Sequence, residues 1–463
     1  MSTIDQMKLF FEPQSVAILG VSRKTGPGSF NILECLQLQG YPGKVYPVNP
    51  NAQEILGVRC YPSVDKIREP IDLAVVSLDR DQVLAAVDSC VKKGIKALVV
   101  VSQGLADIGR EGKTLQDKIR DLARAGGARV VGPNTMGVVN NFHNFTTSSL
   151  PLVNFHSPVS TICQTGIFIT GFYTLTGPVG KAIDLGNTCD VDFADVLEYY
   201  AADPNTRIVV LHVEGIQDGR KFLETARRIT PYKTILALKT GRTEAGAQKA
   251  ASHSGSLAGR DFLYSAAFRQ SGVVRARNSE ELADLVKGFS CLPLPRGNRI
   301  ALLTYTGGGG VMAVDRMMEL NFPLVQLSPE TLEKFSPLNP PWLPLGNPVD
   351  MWPSTMKYGA RPMYKSYLQG LLEDEGVDAV LCIILSPQLP GQEYFDVSEE
   401  ILEAATHYPT KPIVVWAYGP DLEKTREKLE SSGRVVFLPS AERAIQLLFS
   451  LWERRRFLEA KDK

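Results

Sequence analysis

An α/β architecture of mostly parallel sheets is predicted by three features of the sequence. Short, continuous apolar runs end in Gly, Ser or Asn, as buried parallel strands do. Helical patterns lie between them, which gives the βαβ alternation of doubly wound sheets. This alternation starts afresh near Pro158 and again after the Pro-containing stretch 291–298, so the 463 residues divide into three domains. The expected boundaries are 1–145, 146–292 and 298–463. The first domain is expected to be Rossmann-like, and the two that follow flavodoxin-like.

In the first domain, Ser15–Gly20 reads as a buried strand, followed by the Gly-rich turn 21–28 and a helical pattern from Asn31. Strand, Gly-rich turn and helix form a phosphate-binding element, because amides at a helix start point at the ligand. The turn is not the nicotinamide fingerprint, since Ser22 stands where the second Gly of G-x-G-x-x-G belongs. The second strand, Lys44–Asn49, ends on Asn49 rather than on the acidic residue that would bind a ribose hydroxyl. Arg23, Lys24 and Lys44 suit a ligand richer in phosphate than a dinucleotide, or are solvated surface cations. Further strands at 71–77, 97–102 and 128–132 place Ser77, Ser102 and Asn134 at carboxyl ends, where open α/β sheets bind ligands. Helical patterns fall at 81–93 and 112–125.

In the second domain, strands are expected at 159–163, 181–185, 207–213 and 234–239. Gln164, Thr165 and Gly166 form a turn expected to open a helix capped by Thr165, whose N-terminus favours an anion. The stretch 167–177 is β-branched and broken by Gly, hence a poor helix former. Glu214 follows its strand directly. A carboxylate there can accept a hydrogen bond from an imidazole and fix its tautomer, or is simply an exposed strand-end acid. The Ser- and Gly-dominated run 250–259 holds His253 and reads as a flexible loop, with no stable helix expected before Gly259.

The third domain is expected to have strands at 299–304, 379–385, 412–416 and 435–438. Its Gly-rich turn, 305–310, precedes a helix at 311–319 and packs against a neighbour or meets phosphate.

Fifty basic residues balance fifty acidic ones, which gives no support for nucleic-acid or membrane-surface binding. No apolar run approaches the roughly 20 residues that span a bilayer. Seven scattered cysteines without a CxxC pair favour a reducing cytoplasm over a disulfide framework or a zinc site.

The runs 15–28, 43–50, 132–134, 185–187, 214–220 and 252–259 occur together and in order. They resemble the alpha subunit of ADP-forming (NDP-forming) acyl-CoA synthetases such as acetyl-CoA synthetase, relatives of succinyl-CoA ligase, over nearly the whole chain. The resemblance implies a ligase in which the first domain binds coenzyme A through Gly20, Ser22, Arg23, Lys24, Gly26, Lys44, Asn49, Ser77, Ser102 and Asn134. It implies that His253 carries phosphate between two active sites, that Glu214 assists it, and that Gln164, Thr165 and Gly166 receive the phosphate. No metal ligand is expected on this chain. Neither an ATP-grasp segment nor a P-loop is recognisable, so ADP or ATP and Mg²⁺ are expected on a separate ATP-grasp beta subunit, in a heterotetramer. The stretch 167–177 is shorter than in the family, a departure that bears on the acyl pocket. Alternatives are a non-catalytic coenzyme A or acyl-CoA regulatory protein, against which His253 and Glu214 argue, a regulated acetyltransferase, and a nicotinamide oxidoreductase.

Overall fold

The computed structural model describes residues 1–254, 260–387, 391–420 and 422–461. Two compact units, Met1–Val286 and Lys287–Lys463, divide the chain. The first unit holds two sheets. In one, five parallel strands lie in the order Lys44–Val48, Ser15–Leu19, Leu73–Val76, Ala97–Val100, Arg129–Val131. Three of these strands are buried along their whole length, which is why they read as unbroken apolar runs. The helix Ile32–Gln39 begins where Asn31 Oδ1 accepts from the amides of Leu33 and Glu34, and ends at Gly40 with φ +70°.

The second sheet has seven strands, in the order Val274–Ala276, Thr234–Lys239, Ile208–Val213, Val159–Cys163, Lys181–Asp184, Val138–Asn140, Phe145–Thr146. The last two are antiparallel additions. They belong to this sheet although the sequence expectation set the boundary at 145, which assigns the first strand to the other domain and cuts the second. The two sheets are sewn together by the segment after Asp184. There Asn187, Cys189 and Val191 donate backbone hydrogen bonds to Pro133, Gly132 and Val130 at 2.9, 3.1 and 3.1 Å. Gly186 is required at this crossing: its φ is +51°, and a Cβ there would lie 2.2 Å from the Pro133 carbonyl oxygen. Arg124 and Arg129 close on the buried carboxylate of Asp190 at 2.7 and 2.9 Å.

The second unit contains a five-stranded parallel sheet, ordered Val349–Asp350, Ile300–Thr304, Ala379–Leu385, Ile413–Tyr418, Val435–Leu438. The run Gly307–Gly310 is not a turn, as the sequence suggested, but the start of the helix Gly307–Glu319. Close packing explains the glycines: Cβ atoms at Gly309 and Gly310 would meet Ile383 at 3.1 Å and Pro348 at 3.2 Å. No disulfide joins the cysteines of the described residues. Among those residues no helix is long and apolar enough to cross a membrane.

Candidate functional site

At the carboxyl edge of the first sheet, the chain crosses from one side to the other between Ser15–Leu19 and Leu73–Val76, a topological switch point. A cleft of about 390 Å³ opens there, lined by Gly20, Ser77, Leu78, Asp79, Gln82 and Ser102 among others. Gly20 has φ +84°, and a Cβ on it would lie 2.1 Å from the Ser77 carbonyl oxygen, so only glycine lets the two turns close. Ser102 Oγ donates to the Leu78 carbonyl at 2.5 Å. Asn134, with φ +57°, donates its amide N–H to the Ser102 carbonyl at 3.0 Å. Arg23 and Lys24 are exposed on the Gly-rich turn, and Ser22 Oγ accepts from the Lys24 amide at 3.0 Å. Asn49 Nδ2 donates to the Val21 carbonyl at 3.0 Å and so supports the turn from the next strand.

Two expected ligand residues differ from this picture. The Gly26 amide donates to both oxygens of the Glu34 carboxylate, at 2.9 and 3.0 Å, and Ser29 Oγ adds a third bond. The turn thus meets its own anion rather than offering that amide. Lys44 pairs in register with Ser15 at the amino end of its strand. The cleft lies at the other end, about 13 Å away at some 3.3 Å per residue.

The carboxyl edge of the second sheet is a buried polar cluster. Gln164 Oε1 accepts from the amides of Glu214 and Gly215 at 2.7 and 3.1 Å, and its Nε2 donates to Thr188 Oγ1 at 3.0 Å. The Gln164 side-chain oxygen is therefore engaged in placing Glu214, which is itself buried rather than an exposed strand-end acid. Thr165 does not cap a helix. The helix that follows is Ile167–Thr170, its cap position is Gly166 with helical φ and ψ, and no side chain caps it. A second turn, Phe172–Leu175, follows Gly171, as expected of a Gly-broken, β-branched stretch. Gly166 abuts Met136, whose Cγ would lie 2.4 Å from an added Cβ.

Two residues of this cluster went unread in the sequence. Asp184 accepts from the amides of Met136 and Gly186 at 2.8 and 3.0 Å. Burial pushes its carboxyl up to about 6, against those amides, and the charge of Glu214 adds to the rise. Lys239, also buried, stands 4.7 Å from the Tyr264 ring centroid, and burial lowers its pKa. Each is a charged residue closing an apolar strand, a signal available in the sequence.

The run around His253 is not a loop from 250 onward. The backbone is helical from Glu244 to Ser254. Thr243 starts this helix by accepting from the Gly246 amide at 3.1 Å, and Ala245, Ala247, Ala250 and Ala251 outweigh the serines in propensity. Residues 255–259 and the side chains of 250–254, His253 among them, lie outside the described residues. The helix lies against the turn Ala106–Ile108 at the ligand edge of the first sheet. In that turn Asp107 accepts from the amides of Gly104 and Leu105 and from Asn187 Nδ2, at 2.9, 2.9 and 3.2 Å. Burial opposes its charge, but Asn187 and these amides outweigh burial and hold the carboxyl below its usual range. The two sheet edges are thereby tied together.

Two family models match this chain: a CoA binding domain over residues 14–141 and a succinyl-CoA ligase like flavodoxin domain over residues 156–289. These define an acyl-CoA ligase fold, with a coenzyme-binding and a ligase module in series. The chain is 34% identical to the alpha subunit of acetate–CoA ligase (ADP-forming) II of Pyrococcus furiosus, covering 94% of both chains. It is 36% identical to acetate–CoA ligase (ADP-forming) II of Archaeoglobus fulgidus, over 85% of this chain and 59% of that one. The chain thus spans less than two thirds of the A. fulgidus relative. Its fold matches an acetyl-coenzyme A synthetase of Ca. Korarchaeum cryptofilum, solved with phosphate and ADP, with a TM-score of 0.87, 30% identity and 98% of both chains covered. The chain belongs to the ADP-forming acetate–CoA ligase family, and it corresponds in extent to the alpha subunits.

Proposed function

We propose that this chain is the coenzyme A-binding and phosphohistidine-carrying half of an ADP-forming acyl-CoA synthetase, which interconverts acyl-CoA, ADP and phosphate with acid, ATP and coenzyme A. The first-sheet cleft fits a phosphorylated ligand: Gly20 lets the Gly-rich turn close on Ser77, Ser77 and Ser102 line the opening, and Arg23 and Lys24 supply charge. Coenzyme A supplies the thiol that carries the acyl group. His253 takes the phosphoryl group at an imidazole nitrogen. Glu214 accepts from the other ring nitrogen and balances the positive charge that develops on the ring. The turn Gln164–Thr165–Gly166 receives the phosphate through backbone amides, since the Gln164 side chain is occupied in holding Glu214.

The observation that carries this reading is where the helix Glu244–Ser254 lies. It follows the strand beside that of Glu214 and lies against the turn Ala106–Ile108, so one element runs from the carboxyl edge of the second sheet to that of the first. The nucleotide and Mg²⁺ sit on an ATP-grasp beta subunit that pairs with this chain in a heterotetramer. The compartment is the cytoplasm. The test is to incubate the chain with its partner, Mg²⁺ and labelled ATP, then map the label by mass spectrometry under alkaline conditions. A base-stable, acid-labile phosphate on His253 is the expected result. Label on Ser252 or Ser254 instead would sink the mechanism.

A further inference from the structure

Arg80 opens the helix Arg80–Lys92, directly after the turn Ser77–Asp79 that lines the first-sheet cleft. A cation at a helix start opposes the helix dipole, so the helix itself gains nothing from an arginine there. The side chain is 29% exposed, and its Nε is buried without a hydrogen-bond partner among the described residues. An N–H group of a guanidinium left in this state is costly, because it has lost water and gained nothing. Among the described residues the carboxylate paired with Arg80 is that of Glu111, which meets Nη2 at 2.7 Å and is itself 86% exposed, where attraction is weak and screened. The stem of Arg80 packs on Gly104, whose φ is +81°: a Cβ there would lie 3.4 Å from Arg80 Cδ. Arg80 is not itself among the residues that line the cleft, but its side chain runs from the Ser77–Asp79 turn to Gly104, two residues beyond Ser102, and Ser77, Asp79 and Ser102 all line it.

We propose that Arg80 is a phosphate-binding residue of the cleft. On ligand binding its guanidinium exchanges Glu111 for the diphosphate of coenzyme A, and the buried Nε gains its acceptor. A planar, partly desolvated guanidinium suits this task better than the exposed Arg23 and Lys24, because it can pair with two phosphoryl oxygens at once. The inference rests on the coenzyme A reading of the first domain.

Calorimetric titration of the full chain with coenzyme A, 3′-dephospho-coenzyme A and pantetheine tests it. Arg80→Gln is expected to weaken both phosphorylated ligands alike, by roughly tenfold or more, and to leave pantetheine unchanged. Glu111→Gln removes the competing carboxylate from an exposed position and is expected to tighten both phosphorylated ligands by about two- to fivefold, which a purely structural ion pair would not do. Unchanged affinity in Arg80→Gln, an equal loss for pantetheine, or a loss confined to the 3′-phosphorylated ligand would overturn the assignment. If the native chain binds no phosphorylated ligand at all, the coenzyme A reading fails and this inference with it.

Discussion

At the carboxyl edge of the first sheet, Arg23 and Lys24 stand in water on a turn whose own hydrogen bonds are made locally. At the carboxyl edge of the second, Gln164, Asp184, Glu214 and Lys239 are each less than a tenth exposed: Gln164 and Asp184 accept from backbone amides, Glu214 donates its own amide to Gln164, and Lys239 stands by an aromatic ring. The physical consequence differs accordingly. Charges in water attract a large anion from a distance but are screened by salt. Charges taken out of water interact strongly and shift each other's proton affinity, so a buried cluster can orient a ring and stabilise a transferring group. One edge suits capture and the other suits chemistry, and the segment 184–191 with Asp107 joins them.

The largest test of this division is His253→Ala. With the partner present, ATP formation is expected to fall by roughly 10³-fold or more, while coenzyme A affinity in titration stays within about twofold. Loss of both together would mean that the two edges are not separable.

A second test acts on the buried edge alone. Gln164→Leu keeps the side-chain volume close but strips the acceptor from the Glu214 and Gly215 amides. Two buried donors left without a partner cost about 2–6 kcal/mol. The urea midpoint of the first unit should drop correspondingly, and phosphorylation by ATP should slow because Glu214 is no longer fixed. An unshifted midpoint would show that the cluster is wetter than the structure implies.

Asp184 supplies a third, smaller effect. Its folded pKa of about 6 lies above the ordinary 3.8, so the folded state holds the proton more tightly than the unfolded chain does. The stability it contributes is fully present below pH 3.8 and is lost as pH rises through about 6, in total about 3 kcal/mol. Melting temperature against pH should therefore carry a downward component between pH 4 and 6 that Asp184→Asn removes. If the two proteins keep the same slope across that window, Asp184 is ionised throughout.

The sequence made the parallel strands of the three sheets legible because buried parallel strands are unbroken apolar runs, as at Ser15–Leu19 and Leu73–Val76. It did not show that Val138–Asn140 and Phe145–Thr146 cross into the second sheet. Three- and two-residue strands carry no period to read, and antiparallel pairing is set by contacts distant in sequence. Glu214 was legible from its strand end, but the part played by the Gln164 side chain in holding it was not. A side chain that accepts from amides 50 residues away looks the same, in sequence, as one facing a phosphate. The helix around His253 was hidden for a different reason: Ser and Gly drew attention away from the alanines and from Thr243, a start signal seven residues upstream of the run.

The smallest expected effect concerns Lys44, which sequence reasoning grouped with Arg23 and Lys24. Proximity to the second strand suggested that grouping, but strand polarity decides it. Lys44 opens its strand opposite Ser15, whereas the cleft is at the Leu19 and Val48 end. At about 13 Å an exposed charge lies beyond the Debye length of roughly 8 Å at physiological salt. Lys44→Glu should therefore leave coenzyme A affinity within about twofold at that ionic strength, while Lys24→Glu, on the turn itself, should weaken it by roughly three- to tenfold. Lowering the salt to about 0.01 M extends the screening length to some 30 Å, so the Lys44 variant should then show a modest loss. A strong loss at physiological salt would place a ligand phosphate at the amino end of the sheet and undo the assignment of the cleft.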